Sequence, residues 1–264
     1  RHWRVLLPDL RGHGATAGRL GFHPPHDLAA AGEDLVELLK SEHVRTGYPL
    51  DFIAGHSLGG KVTLEALAQM RTNTNTSGKG PGKLPKQVWV LDSIPGLVEK
   101  DLSARGVDRV LSTLATLPTT FKTRGELALA LEKHNFSPEI SAWLGSSLTQ
   151  VMVGGHARLR FEFDVSAGAS MYGSYCRGEY WDVLRQVPPE SDVHIVRGLH
   201  SDRWDEGAVS RLQEVTKSSR ENPDTGNVHV HELSAGHWVH TDNPQGLHKI
   251  MKGKLRELAH YSHG

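Results

Sequence analysis

No disulfide can form within this chain, because Cys176 is its only cysteine. That absence points to a reducing compartment and away from a small secreted fold stapled by disulfides. Cys176 itself reads as a small apolar filler. Asn75-Thr76-Ser77 and Asn135-Phe136-Ser137 match the N-glycosylation acceptor pattern, but patterns this short arise by chance and are set aside on the same ground. No apolar run approaches the roughly 20 residues that span a bilayer, so no membrane span is expected. Net charge is missing too. Lys plus Arg and Asp plus Glu number 30 each, and no long-range field draws the chain to nucleic acid or an anionic membrane. A small, neutral substrate suits this balance better. The chain opens on Arg1, without Met, and runs directly into WRVLLPDL, which reads as an internal start at which a targeting segment would not be visible.

What is present is a chain of 264 residues with 38% hydrophobic residues, enough for one large domain with an insertion. The 17 histidines make the charge rise as pH falls through about 6.5, which by itself names no function. Strand-like runs occupy Trp3 to Leu7, Leu50 to Ala54, Val88 to Leu91, Val193 to Val196 and Val228 to Leu233. Helical stripes lie between them, one of Leu28, Ala31, Leu35 and Leu38, another of Val62, Ala66 and Met70. Strands alternating with helices imply an α/β fold, a parallel sheet covered on both faces. From about Glu99 to Pro188 the rhythm breaks into helical patterns with no clear strand (Val107, Val110, Leu111, Leu114, Leu117; then Ile140, Leu144, Leu148). The expected organisation is therefore a core of residues 1–98 and 189–264 with a helical cap at 99–188. Arg71 to Lys86, RTNTNTSGKGPGKLPK, reads as a surface loop.

Chemistry concentrates at LDFIAGHSLGGKVTLEALAQM, where a strand runs into Gly55-His56-Ser57-Leu58-Gly59 and then a helix. A Gly-x-Ser-x-Gly turn in that context holds its serine in a strained backbone and presents the hydroxyl at the carboxyl edge of the sheet. Side chains two residues before or after Ser57 are expected to collide with neighbouring backbone, hence glycine at both places. The helix that follows directs its first amides at a developing oxyanion, Leu58 N–H among them. A serine needs a base. His237 in LSAGHWVHTDNPQ follows the last strand and so emerges at the same edge, whereas His240, beyond Gly236, is expected to pack on or cap the next helix. A carboxylate must fix the imidazole tautomer. Asp92 in QVWVLDSIPG and Asp202 in VHIVRGLHSDRW both end strands at the correct edge, and the residues alone leave both open.

Two other constellations are weaker. His229 and His231 face one side of a strand, but no second ligand pair with zinc-like spacing accompanies them, so no metal site is expected. Gly78-Lys79-Gly80-Pro81-Gly82 lacks the arrangement of a phosphate-binding loop.

Taken together, PDLRGHG (Pro8 to Gly14), GHSLGGKV (Gly55 to Val62), LDSIP (Leu91 to Pro95), FEFD (Phe161 to Asp164), YWDVL (Tyr180 to Leu184), RGLHSDRW (Arg197 to Trp204) and AGHWVHTDNP (Ala235 to Pro244) resemble the α/β-hydrolase family. Within it they are similar to the YbfF-type bacterial esterases and their organellar eukaryotic relatives, with Lys61 and the D-x-x-P at Asp92 to Pro95 as the branch features. The resemblance implies an α/β-hydrolase fold with an inserted helical cap. It also implies hydrolysis of acyl esters or thioesters without a cofactor, and Asp92 in preference to Asp202 as the acid. The family pattern has further strands and a His-Gly loop upstream of PDLRGHG, and that loop carries the second oxyanion donor. Trp143, Phe161, Phe163, Tyr172 and Tyr175 are candidates to line an acyl pocket under the cap, each also readable as cap core. A serine at the elbow argues against dehalogenase and epoxide-hydrolase chemistry, which needs a carboxylate there. The reading from another class is a ligand sensor that keeps the fold and signals through cap movement. Acyl length and oligomeric state are not written in these motifs.

Overall fold

The structure, a computed structural model, describes residues 4–19, 21–48, 51–77, 84–99 and 106–260, with the backbone alone described for 73–77 and 256–260. In chain order its longer elements are α1 (Leu28–Thr46), β1 (Phe52–His56), α2 (Leu58–Ser77), β2 (Gln87–Leu91), α3 (Val107–Leu114), α4 (Arg124–Lys133), α5 (Pro138–Ser146), β3 (Leu148–Val153), β4 (His156–Phe161), α6 (Val165–Arg177), α7 (Trp181–Arg185), β5 (Asp192–Gly198), α8 (Glu206–Glu221), β6 (Val228–Leu233), α9 (Val239–Asp242) and α10 (Pro244–His260). They fall into two compact units, Arg1–Asp27 with Glu99–Cys176, and Leu28–Val98 with Arg177–Gly264. Residues 1–27 thus group with the inserted stretch, and 177–188 with the sheet.

The larger unit is built on a four-stranded parallel sheet in the order β1-β2-β5-β6. Its central strands read as continuous apolar runs because both faces are covered. Every residue of β2 is buried. On one face Trp89, Leu91, Val196 and Leu233 pack with Ala235, Val239 and Leu247, and with the partly buried Ile250 and Met251 of α10. Val88, Val90, Val193, Ile195 and Val228 alternate onto the other face and are also buried. At about 1.5–3 kcal/mol for each large apolar side chain removed from water, these strands carry much of the unit's stability. The stripe Val62, Ala66, Met70 is buried as read.

Four sequence expectations need correction. The strand expected at Trp3 to Leu7 does not form over its described part: none of Arg4–Leu7 lies in a strand, and Val5 and Leu7 are exposed. An apolar run forms a strand only where another strand is there to pair it. Second, α1 buries Leu28, Ala31, Gly32, Val36 and Leu39, a face rotated from the stripe through Leu35 and Leu38. The cause is Gly32, where a Cβ would crowd Glu65 of α2, so the helices approach along the glycine. Third, Arg71–Ser77 continues α2 and is not loop. Its helix is already nucleated by the buried turns before it, and extension needs one backbone bond per residue. The glycine-rich stretch Gly78–Gly82 lies outside the described residues.

The fourth correction concerns the smaller unit. Beside α3 to α6 it contains an antiparallel hairpin, with Leu148↔Phe161 to Val153↔His156 in register across β3 and β4. Gly154 and Gly155 close it with φ of 56° and 79°, the left-handed backbone that a two-residue hairpin turn demands. The helical reading missed it because the strands alternate weakly: Met152 and Val153 point to solvent. The unit has its own core of Val110, Leu114, Phe121, Leu127, Leu131, Phe136, Leu144, Leu148 and Phe161. The N-terminal segment joins it through a His13↔Phe163 bridge and an Asp164 N–H bond of 2.8 Å to the Gly12 carbonyl.

Candidate active site

β1 ends at His56 and β2 at Leu91, which are register partners, so the next residues, Ser57 and Asp92, emerge side by side at the carboxyl edge of the sheet. Both have left-handed backbone, φ 52° and 45°, which turns each side chain out of the strand direction. For a residue with a Cβ this costs on the order of 1–3 kcal/mol. Two backbone bonds hold the turns in place, Ser57 N–H to Leu91 O at 3.0 Å and Asp92 N–H to Val196 O at 2.8 Å. The tight turn needs Gly55, where a Cβ would overlap the Gly59 carbonyl group. The matching expectation at Gly59 is not met: a Cβ there meets nothing within 4 Å. The second steric requirement falls instead on Gly60, where it would press on Ser93 Cβ at 2.7 Å.

His237 completes a series of three. Its Nδ1 lies 2.8 Å from Asp92 Oδ2 and its Nε2 3.2 Å from Ser57 Oγ. A carboxylate only accepts, so Nδ1 carries the proton and Nε2 offers its lone pair to the serine hydroxyl. The loop bearing His237 is pinned at both ends, by Leu199 N–H to Leu233 O and His200 N–H to Ala235 O on one side and by Gly236 N–H to Asp242 Oδ2 on the other. Gly198 lets it pack on the end of β5, since a Cβ there would stand 2.5 Å from the Gly236 carbonyl oxygen.

Asp92 is fully buried and ringed by donors. Besides His237, it accepts from Ser201 Oγ at 2.6 Å, the Gly198 N–H at 2.8 Å and Trp204 Nε1 at 2.9 Å. Burial alone would raise its pKa; the hydrogen bonds from His237, Ser201, Gly198 and Trp204 outweigh that and hold it below the ordinary carboxylate value. Asp202 lies elsewhere, 80% exposed and 3.3 Å from Arg203 Nε. The residue three after Gly198, Ser201, donates to Asp92 instead.

His56, the second residue of the elbow motif, escaped the sequence reading. Its Nε2 lies 2.8 Å from the His237 carbonyl oxygen and must carry a proton to bond it. Its ring sits 4.7 Å from the His237 ring, 5.4 Å from Trp238 and 4.8 Å from His240. Burial pushes the His56 pKa down, against the pull of the carbonyl bond, so the ring is neutral near pH 7. His240 lies in α9 and packs on His56. Ser201 and Trp204 were also missed; their only sequence signal was membership of RGLHSDRW.

Leu58 opens α2, so its N–H has no partner within the helix and points, with the dipole, beyond the N-terminus. Lys61, fully buried one turn on, donates to the carbonyls of Gly96 at 2.6 Å and Gly178 at 2.9 Å. The aromatic candidates belong to the smaller unit. Phe161 lies within its core, with Phe163 5.1 Å away at the edge. Tyr172 and Tyr175 stack on α6 at 5.9 Å, and Trp143 is 55% exposed. Among the described residues no helix is long and apolar enough to cross a membrane.

A strained serine, a histidine with a free lone pair and a buried carboxylate can together deliver an alkoxide-like nucleophile to a carbonyl carbon. The model of the Alpha/beta hydrolase family matches residues 1–250. Among solved structures the chain is similar to a marine microorganism esterase, at 19% identity and TM-score 0.63 over 94% of this chain and 82% of that one. It is also similar to a peroxisomal alpha-beta-hydrolase from Saccharomyces cerevisiae, at 13% identity and TM-score 0.60 over 96% and 68%. A third is the N-acyl homoserine lactonase AidH complexed with N-butanoyl homoserine, at 16% identity and TM-score 0.56 over 97% and 79%. At these identities the likeness is one of fold. No curated protein matches the sequence.

Proposed function

Because the chain belongs to the alpha/beta hydrolase family, we propose that it is a serine hydrolase that cleaves small carboxylic esters or thioesters through an acyl-Ser57 intermediate. The observation that carries this reading is the series Ser57 Oγ, His237 Nε2, His237 Nδ1, Asp92 Oδ2, with separations of 3.2 and 2.8 Å at its two hydrogen bonds.

In this reading Ser57 Oγ attacks the acyl carbon while His237 Nε2 takes its proton. The imidazolium so formed stays bonded to Asp92, whose depressed pKa keeps it an anion throughout. The Leu58 N–H receives the oxyanion. Collapse expels the alcohol or thiol, which leaves with the proton from Nε2. Water then enters, gives a proton to Nε2 and attacks the acyl carbon; collapse breaks the bond to Ser57 Oγ, which takes the proton back from Nε2 as the carboxylic acid departs. A lactone is a cyclic ester and would open by the same attack. Placement in the YbfF-type branch is proposed on the resemblance at Lys61 and the D-x-x-P at Asp92; Lys61 bonds Gly96 O and so ties the loop after β2 to the helix of the elbow. Trp143, Phe161, Phe163, Tyr172 and Tyr175 are proposed for the acyl group; Phe161 and Tyr175 are buried, Tyr172 is partly buried, and Phe163 and Trp143 are the more open.

The test is labelling of the full-length protein by a fluorophosphonate probe, beside turnover of a panel of acyl esters and thioesters. Ser57→Ala is expected to abolish labelling and to lower kcat by about 10⁴ or more. Labelling that survives in Ser57→Ala overturns the proposal.

A further inference from the structure

At the opposite end of the sheet from Ser57, the strand starts bring together a second cluster. His194 of β5 and His229 of β6 are register partners, and Asp192 and His231 lie two residues away on the same face. The His194 and His229 rings stack with centroids 4.7 Å apart, and Trp89 covers His194 from the other side at 4.3 Å. His229 Nε2 approaches Asp192 Oδ2 at 3.6 Å. His194 is 1% exposed; its Nδ1 meets His231 Nε2 at 3.0 Å, and its Nε2 is buried with no hydrogen-bond partner among the described residues.

We propose that Asp192, His194 and His229 form a binding site for a divalent transition-metal ion of the zinc type. One donor atom from each of the three lies within 4.8 Å of the others. Two imidazoles and a carboxylate make a ligand set suited to zinc, cobalt or nickel, with the remaining positions open to water. If Nδ1 of His194 donates to His231, Nε2 is left as a buried lone pair that no donor among the described residues satisfies, and a cation supplies what is missing. Burial, with the His229 and His231 charges, pushes the His194 pKa down to about 3, so its lone pair is available at neutral pH. Asp192 supplies the negative charge: burial would raise its pKa, but the nearby His229 ring and the bond from the Asn227 N–H hold it below the usual value. Lys254 also faces the cluster and opposes a cation, which makes Asp192 indispensable. Metal–ligand bonds of about 2.0–2.2 Å require the three groups to close in and the His229 ring to turn out of its stack on His194, since an imidazole lone pair lies in the ring plane. Asp192 and His229, with side chains 39% and 29% exposed, are the two that must move. A bound ion would clip the starts of β5 and β6 together and leave the serine site untouched. The sequence shows one member of this set, His229 beside His231, because the other two ligands come from another strand.

The experiment is isothermal titration of the EDTA-stripped full-length protein with zinc, paired with cobalt titration followed by visible absorption. Saturable binding of one ion per chain is expected, with a raised Tm. Asp192→Asn and His229→Gln should each weaken binding at least tenfold at unchanged circular dichroism and unchanged hydrolysis, while the exposed-site control His134→Gln should not. Absence of saturable binding by the wild type, or wild-type affinity in both ligand variants, overturns the proposal.

Discussion

Acid should weaken this protein through His194 well before its carboxylates titrate. The ring is 1% exposed and packed between Trp89 and His229. Burial first, then the His229 and His231 charges and Lys254, push its pKa from 6.5 down to about 3, with Asp192 acting the other way. His231 is pushed to about 4 by burial and by the His229 and Lys254 charges. In the unfolded chain both take a proton near pH 6.5; in the folded chain neither does until the pH is far lower. The unfolded state therefore binds more protons throughout that window, and stability falls as pH falls. At about 1.4 kcal/mol per unit, His194 alone accounts for up to about 5 kcal/mol, of which roughly 3 is lost between pH 6.5 and pH 4. The two histidines share a hydrogen bond, so their contributions do not simply add. Asp92 and Asp192, held below the ordinary 3.8, lose their contribution only below that value, which separates the two causes. Against a typical net stability of about 5–15 kcal/mol the histidine loss is large. Urea unfolding in EDTA buffers at pH 7, 6, 5 and 4 measures it by linear extrapolation. His194→Phe keeps a ring for Trp89 to stack on but cannot titrate; it should be less stable at pH 7 and much flatter from pH 6.5 to 4. An equal slope in His194→Phe and wild type would refute the reasoning.

Three further outcomes follow from the site. Asp92→Asn should lower kcat by roughly 10⁴ with little change in KM, because the imidazole loses its tautomer, whereas the exposed Asp202→Asn should change kcat less than about threefold; steady-state kinetics on an ester substrate, at matched circular dichroism, distinguishes them. Gly55→Ala should cost several kcal/mol or prevent folding, on the order of the larger overpacking penalties, while Gly59→Ala should leave urea stability within about 1 kcal/mol; equal losses in the two would mean the turn is not held as described. His56→Ala removes the donor to the His237 carbonyl and should lower kcat by about 10 to 100-fold at nearly constant KM, with a wild-type kcat counting against a positioning role.

The elbow, the parallel strands and the histidine were legible in the sequence because each is local: Ser57 sits between an apolar run and a helical stripe, and His237 directly follows a strand. What the chain order leaves open is whatever depends on which residues meet across strands. Asp92 and Asp202 both end strands, and only the packing of Gly198, Ser201 and Trp204 around one carboxylate singles out Asp92 as the partner of His237. His56 hides in the variable place of its motif, since its role is a bond to a carbonyl 181 positions away. The face of α1 turned on Gly32, a contact with another helix, and the β3–β4 hairpin on pairing that periodicity does not register. His194, Asp192 and His229 are scattered along 38 residues of chain and become neighbours through the register of β5 on β6 alone. Sequence fixes local geometry through backbone sterics and apolar period; tertiary structure decides the long-range pairings, where burial and hydrogen bonding set the charge that each group carries.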